Sequence, residues 1–213
     1  ANTSYDGPAV VNVDALNIAA GGTLALQLPS YPSGSATYPQ IFANTADISG
    51  ATLEVRPSSS NGLYANSYTY DNIIDANTLT GKFAVPVVVS TGTPLLQFTA
   101  SYDNANNVDL SMTRVAFGAV PGLTVNESAA GGAIEAGYSS AQSGAYGTLL
   151  GNLFLLNSAA YPAALSQLSG DLYSSYQQNL RNGSLQVDTL VNDQIDCAIS
   201  KMRVDACRDP NRD

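Results

Sequence analysis

Two aspartates beside a pair of tyrosines are the first residues in this sequence that could do chemistry. Asp71 and Asp75 lie four residues apart, near Tyr68 and Tyr70. Two carboxyl groups on either side of a sugar linkage are the usual machinery of glycoside hydrolysis, so this pattern would suggest cleavage of a polysaccharide. Acidic residues are more often found in turns and on exposed strand faces, and this second interpretation is preferred.

A second group of candidates is the segment Asp103–Asp109, which is rich in Asp and Asn. Carboxylate and amide oxygens are the ligands that Ca²⁺ prefers in proteins. The spacing of an EF-hand is absent, however, and Asp and Asn are also the residues that favour tight turns. The segment is therefore interpreted as the turn of a hairpin, and no metal site is expected.

Several tyrosines allow two interpretations. They could form an exposed platform for sugar rings, or they could be half-buried strand residues with the hydroxyl in water, which is the more common arrangement. The tyrosines concerned are Tyr31, Tyr38, Tyr64, Tyr68, Tyr70 and Tyr102.

The residue types that are missing exclude much familiar chemistry. The chain has no histidine, so it cannot form a Ser-His-Asp triad, a Cys-His pair or a histidine-ligated zinc site. Its two cysteines cannot close a four-ligand zinc site alone. The cations Arg56, Lys82 and Arg114 are scattered through the N-terminal half. We therefore expect that the chain is not an enzyme and uses no cofactor.

The charge balance argues against a nucleic-acid partner. Eight Lys and Arg residues stand against 17 Asp and Glu residues, a net charge of −9, whereas a nucleic-acid binder needs a basic face. No stretch of about 18 apolar residues is present that could span a bilayer as a helix. The sparse charge and the abundance of Asn, Ser, Thr and Gly are typical of an extracellular protein.

The elements that must position these residues change in character near residue 120. Up to about Thr113 the sequence alternates between apolar and polar residues with frequent turn formers, which predicts short strands and a hairpin over Leu95–Arg114. After Pro121-Gly122 helical spacing takes over, beginning with a capping box at Thr124 and Glu127. Asn182-Gly183 is expected to interrupt the last helix.

Three segments in order resemble the classical (type V) autotransporter passengers. The stretch Thr93–Arg114, TPLLQFTASYDNANNVDLSMTR, is similar to the family phrase S-Y-D-x-N-N-V-x-L-x-x-T-R. The stretch from Ser49 to Phe83 resembles the preceding family pattern G-x-L-x-V, Y-x-x-x-x-x-Y and L-x-G-x-F. Ala163–Tyr173 looks like the segment that precedes the family's translocator barrel. The resemblance covers roughly Gly50 to Ile195.

The resemblance implies a mainly β fold, the end of a right-handed parallel β-helix with a C-terminal hairpin cap, followed by a short α-helical region. Residues 1–120 would be the C-terminal part of the passenger with an autochaperone-like cap. Residues 121–213 would be a helical linker that precedes a translocator barrel absent from this sequence.

The implied function is that of a non-catalytic stem and autochaperone that supports passenger folding and surface display. Its partners would be the upstream passenger and the chain's own translocator barrel, and its location the bacterial cell surface or outer membrane, or the medium after secretion, reached through the periplasm. Two alternatives are a fragment of a surface adhesin with its own host or cell-surface ligand, and, less favoured, a polysaccharide-active enzyme.

The sequence also predicts a disulfide between Cys197 and Cys207, because these are the two cysteines of a chain with an exported character. An unbroken helix would hold their Cα atoms about 15 Å apart, whereas a disulfide needs less than about 7 Å, so the bond requires the helix to end inside the interval. The alternative is two free or intermolecularly bonded thiols on a continuous helix. Thiol titration with and without denaturant, followed by non-reducing mass spectrometry, distinguishes them; two titratable thiols would exclude the intrachain bond.

Overall fold

Successive strands alternate between two sheets, except for the last two, which pair with each other in the same sheet. The computed structural model describes residues 3–5, 10–30, 38–58, 63–102 and 106–200. The strands are β1 (Thr3–Tyr5), β2 (Val10–Asn17), β3 (Thr23–Pro29), β4 (Gln40–Asp47), β5 (Thr52–Ser58), β6 (Ser67–Thr80), β7 (Ala84–Val89), β8 (Leu96–Ser101) and β9 (Asn107–Arg114). The helices are α1 (Val125–Ala136), α2 (Gly144–Leu155), α3 (Ala160–Leu168) and α4 (Asp171–Ser200).

The two sheets differ in how their strands are oriented. The parallel sheet has the order β1-β3-β5-β7. The mixed sheet has the order β2-β4-β6-β9-β8, in which β2, β4 and β6 are parallel, while β9 is antiparallel to both β6 and β8. Leu96 lies opposite Arg114 and Ser101 opposite Asp109. This antiparallel pairing confirms the hairpin that the alternation over Leu95–Arg114 predicts.

The predicted fold class is wrong. The described residues form a mixed α/β fold with two sheets and four helices, and no closed or solenoid β-helix is found among them. The helices contain 12, 12, 9 and 30 residues, so helical structure rivals strand structure in extent. The physical reason lies in the apolar residues of the second half. Leu150, Phe154, Tyr161 and Leu165 are fully buried in the same hydrophobic cluster as the strand residues, so α2 and α3 form part of the core.

The chain divides into two compact units, Ala1–Ser169 and Gly170–Asp213. The division between residues 120 and 121 that the resemblance implies stays a prediction. In the second unit, α4 continues through Asn182-Gly183, so the predicted interruption there is wrong. An interior glycine costs only about 1 kcal/mol relative to alanine, which a long helix can absorb. Among the described residues, no helix is both long and apolar enough to cross a bilayer.

Helix α1 is fixed at its start by a cap and along its length by a close backbone contact. The Thr124 side chain accepts a hydrogen bond from the Glu127 N–H, and the Glu127 carboxylate accepts one from the Thr124 N–H, which confirms the predicted capping box. Further along, Gly131 lies against the backbone of Phe117 and Gly118. A Cβ atom at Gly131 would lie 2.6 Å from the Phe117 carbonyl carbon, which is inside van der Waals contact.

We expect Gly131→Ala to lower the free energy of unfolding by about 3 kcal/mol, because the added methyl group would push α1 away from a backbone that cannot rotate aside. Gly132→Ala is the matched control in the same helix, since a Cβ there meets no atom within 4 Å. It should stabilise the chain by about 0.5–1 kcal/mol through helix propensity. Urea unfolding of both variants measures this difference; equal effects would contradict the close contact.

Candidate functional site

The end of the hairpin carries a buried cation that joins it to α1. Arg114 is the last residue of β9, and its side chain is only 3% exposed. Its guanidinium donates to both carboxylate oxygens of Glu135, with Nη2–Oε1 2.6 Å and Nη1–Oε2 2.8 Å. Nη2 also donates to Asn66 Oδ1 at 2.6 Å, just before β6 begins. A bidentate contact of this kind fixes direction as well as distance.

Aromatic side chains complete the surroundings of the guanidinium. Its Cζ atom lies 4.3 Å from the centre of the Tyr138 ring and 5.5 Å from that of Phe117, both within cation–π range. Glu135 also accepts a hydrogen bond from the Phe117 N–H at 3.1 Å. We call Arg114, Glu135, Asn66, Phe117 and Tyr138 the junction cluster. It joins the hairpin, the segment before β6, the loop after β9 and α1 with its C-terminal end.

The tyrosine hydroxyl groups around the junction cluster donate hydrogen bonds to backbone carbonyl groups. Tyr138 donates to the Tyr64 carbonyl, and Tyr161 donates to the Phe117 carbonyl at 2.7 Å. Burial raises the pKa of Tyr138 to about 12 and also raises the pKa of Tyr161. Both groups are therefore neutral donors at physiological pH.

The ion pair stabilises the charged forms of both Arg114 and Glu135 and shifts their pKa values accordingly. The hydrogen bonds from Arg114 lower the pKa of Glu135, assisted by the Phe117 N–H and opposed by partial burial. The same hydrogen bonds raise the pKa of Arg114 against its desolvation. The junction cluster is thus a structural anchor with both charges present, which gives it no group poised to exchange a proton near neutral pH.

The structure separates the two aspartates first considered for catalysis. The Asp71 carbonyl accepts hydrogen bonds from the Tyr38 hydroxyl at 2.7 Å and from the Gln40 amide at 3.2 Å. Asp75 lines a groove on the mixed sheet that does not include Asp71. Two buried residues, Ile73 and Ile74, lie between them in sequence. This arrangement favours the structural interpretation of the two aspartates.

The calcium candidates also have structural positions where the structure describes them. Asp109 is buried, and its Oδ1 accepts a hydrogen bond from the Asn72 N–H at 2.6 Å. Asn72 has a φ angle of 54°, and the pairing of β6 with β9 shifts register between Tyr70 and Ile74. Asp109 therefore supports this irregularity. Asp103 lies outside the described residues, among which no group of three or more His, Cys, Asp or Glu could hold a metal ion.

Tyr38, Tyr64 and Tyr70 pack inside the molecule more completely than the sequence indicates, whereas Tyr68 and Tyr102 are half-buried as expected. Tyr64 and Tyr70 are fully buried, and Tyr38 is 9% exposed. The Tyr70 ring makes edge contacts with Tyr38 and Tyr68, and its hydroxyl donates to the Pro29 carbonyl at 2.7 Å. The hydroxyls of Tyr38, Tyr64 and Tyr70 thus contact backbone, where the prediction placed them in water. Tyr31 lies outside the described residues.

The remaining predicted residues are not brought into one site. Arg56 pairs with Glu54 at 2.9 Å, and Lys82 lies 5.0 Å from the centre of the Tyr102 ring. Cys197 belongs to α4, which extends to Ser200. Cys207 lies outside the described residues, so the disulfide stays a prediction.

Sequence reasoning missed a polar groove of about 460 Å³ on the mixed sheet. We call it the outer groove. Strands β2, β4 and β6 line it with the polar residues Asn12, Asp14, Asn44, Asp75 and Asn77 and the apolar residues Val13, Phe42, Ala43 and Ala76. One sequence signal could have found it: Ala43-Asn44-Thr45 and Ala76-Asn77-Thr78 repeat the same pattern, and Ala43 pairs with Ala76, and Thr45 with Thr78, in the parallel register of β4 and β6.

Comparisons of the chain with family models, with curated proteins and with solved structures found no match. The family resemblance therefore stays a prediction.

We expect Glu135→Gln to lower the free energy of unfolding by about 2 kcal/mol at pH 7, because it leaves Arg114 buried without a counter-charge. The pKa of Glu135 is lowered in the folded chain, so the contribution is complete above the usual value of 4.5 and is lost as pH falls through the folded pKa. The deficit of the variant should therefore shrink below pH 4.5. Urea unfolding across pH measures it.

The matched control is Glu54→Gln, which makes the same chemical change beside Arg56, an arginine whose side chain is 40% exposed where that of Arg114 is 3% exposed. We expect it to cost less than about 1 kcal/mol, as surface ion pairs do. A deficit for Glu135→Gln that is no larger than this, or that grows on acidification, would contradict the role assigned to the junction cluster.

Proposed function

We propose that this chain is a non-catalytic folding and display segment of a bacterial surface protein exported by type V secretion, in which the C-terminal part folds first and serves as the template for upstream strands. The observation that carries this proposal is the order of strands in the mixed sheet. Starting from the hairpin, the order is β8-β9-β6-β4-β2, so after β9 each added strand lies earlier in the chain. The parallel sheet follows the same rule in the order β7-β5-β3-β1.

This order matters because parallel and antiparallel pairs differ in what they need to form. A parallel pair requires a long crossover connection, and its partners here are far apart in sequence, as in Val10 with Gln40 and Ile41 with Ile74. The β8–β9 hairpin needs only the residues between Ser101 and Asn107. Loop closure for the hairpin is therefore cheaper and faster, and the hairpin is the natural first element.

The hairpin is also supported from its C-terminal side. Leu110 is fully buried, Met112 is 1% exposed and Phe98 is 7% exposed, so the hairpin brings a large apolar surface to the core. At its end, Arg114 is held by Glu135 of α1. The hairpin and α1 can thus stabilise each other without strands β1–β5, which lie earlier in the chain.

The family resemblance agrees with this role in its location. The stretch most similar to the family phrase, Thr93–Arg114, contains β8 and β9. We propose accordingly that the partners are the upstream passenger, whose strands would pair onto this segment, and the chain's own translocator barrel. The proposed site of action is the outer membrane and cell surface.

The proposal predicts that two similar mutations affect different rates, one the rate of refolding and the other the rate of unfolding. Leu110→Ala in β9 and Leu26→Ala in β3 each remove a fully buried leucine side chain from a strand, and each should destabilise the chain by about 3 kcal/mol. Leu110→Ala should mainly slow refolding, with a φ-value of about 0.5 or more. Leu26→Ala should mainly speed unfolding, with a φ-value below about 0.3. Stopped-flow refolding and unfolding of the full chain in urea give both values.

The pair of leucines controls for the size and chemistry of the change, so only the position in the folding order differs. A φ-value for Leu26 that is equal to or higher than that for Leu110 would mean that the N-terminal strands form first or together with the hairpin. That result would refute the C-terminal template.

A further inference from the structure

We propose that the outer groove is a binding site for an extended, neutral saccharide chain laid across strands β2, β4 and β6. This inference is independent of the folding role, because it uses a surface that the hairpin and the junction cluster do not form. Its evidence is the juxtaposition of an aromatic ring that is not part of the core, a row of hydrogen-bonded amides and the absence of any cation among the lining residues.

The groove is built by register. Asn12 of β2 pairs with Phe42 of β4, which pairs with Asp75 of β6, so these three side chains project from the same face. Because neighbouring strands lie about 4.8 Å apart, the side chains form a row that crosses the strands at right angles. A ligand lying in the groove would therefore meet one side chain of this row at each strand.

A second row of polar side chains runs beside the first. Asn44 Nδ2 donates to Asp14 Oδ1 at 3.1 Å, and Asn77 Nδ2 donates to Asn44 Oδ1 at 3.0 Å. These contacts orient the amides in one direction across the sheet. Each Asn amide has two N–H donors and two acceptor lone pairs, so the row keeps donors and acceptors for a ligand after its internal contacts are made. Hydroxyl groups of a ligand can both donate and accept hydrogen bonds, so they would match the amides of this row.

Phe42 gives the groove its apolar surface. Its side chain is half-buried and lies outside the hydrophobic cluster that the described residues form. An aromatic ring flanked by Asn and Asp can pack against the C–H face of a sugar ring while the polar side chains bind its hydroxyls. Binding sites commonly combine an apolar surface with a few placed polar groups, and a volume of 460 Å³ is in their usual range.

The charges of the lining residues favour a neutral ligand over an anionic one. The lining residues include the carboxylates Asp14 and Asp75 but no Lys or Arg, and the whole chain carries a net charge of −9. An anionic saccharide such as a uronic acid polymer would be repelled. A basic peptide would find only two carboxylates in the lining, and one of them, Asp14, already accepts a hydrogen bond from Asn44.

The test uses the full chain and four probes: neutral hexasaccharides of β-1,4-linked glucose and of β-1,4-linked N-acetylglucosamine, a hexasaccharide of galacturonic acid, and hexalysine. Titration followed by ¹H–¹⁵N NMR locates the contacts, and calorimetry gives Kd. We expect at least one neutral hexasaccharide to bind with shifts centred on β2, β4 and β6, and the galacturonate not to bind. Phe42→Ala should weaken binding about tenfold, and Asn77→Ala should weaken it several-fold.

Tyr146→Ala is the control, because Tyr146 is an exposed aromatic of α2 that does not line the outer groove, and Kd should stay unchanged. Thermal unfolding checks that Phe42→Ala remains folded, which is expected because Phe42 lies outside the core. The proposal is overturned if neither neutral probe binds at millimolar concentration, if hexalysine alone binds, or if Phe42→Ala and Tyr146→Ala bind a neutral probe equally well.

Discussion

The ion pair between Arg114 and Glu135 is the constraint on which the arrangement of the first unit depends. Arg114 ends the hairpin, Glu135 belongs to α1, and the pair also holds Asn66 and the backbone of Phe117. Burying a guanidinium is costly, and a buried pair is often no more stabilising than apolar residues would be. What the pair supplies is geometry, because its two residues together hold four segments. Any packing that separates Arg114 from Glu135 leaves a charge unpaired inside the molecule.

The inner and outer surfaces of the first unit differ in chemistry: the inner surface is apolar and the outer surface of the mixed sheet is polar. Inside, strand and helix residues form a continuous apolar cluster in which tyrosine hydroxyls bind backbone carbonyls. Outside, the mixed sheet carries amides, carboxylates and the Phe42 ring. A folding template needs the first surface, and recognition of a ligand uses the second, so the two proposed roles do not compete for residues.

How much the sequence predicted depended on whether the signal was local. Strand alternation in Leu96–Ser101 and Asn107–Arg114 and the capping box at Thr124 and Glu127 are local patterns, and both predictions are confirmed. The fold class was wrong because the burial of α2 and α3 against the sheets depends on tertiary packing that periodicity does not encode. The ion pair joins residues 21 positions apart, and the outer groove joins three strands, so neither appears in any short motif.

The contact between α1 and the loop after β9 has a consequence for how this sequence can change over evolutionary time. Gly118 and Gly131 approach each other so closely that a Cβ on either one would meet main-chain atoms, at 2.5 Å from the Ser128 carbonyl oxygen in one case and 2.6 Å from Phe117 in the other. Most tightly packed positions can be rescued by shrinking a neighbouring side chain. Here the obstacle is common to all residue types, so no second-site suppressor in the contact can restore the fit. Selection for stability should therefore favour glycine at both positions, because any other residue has to displace main-chain atoms.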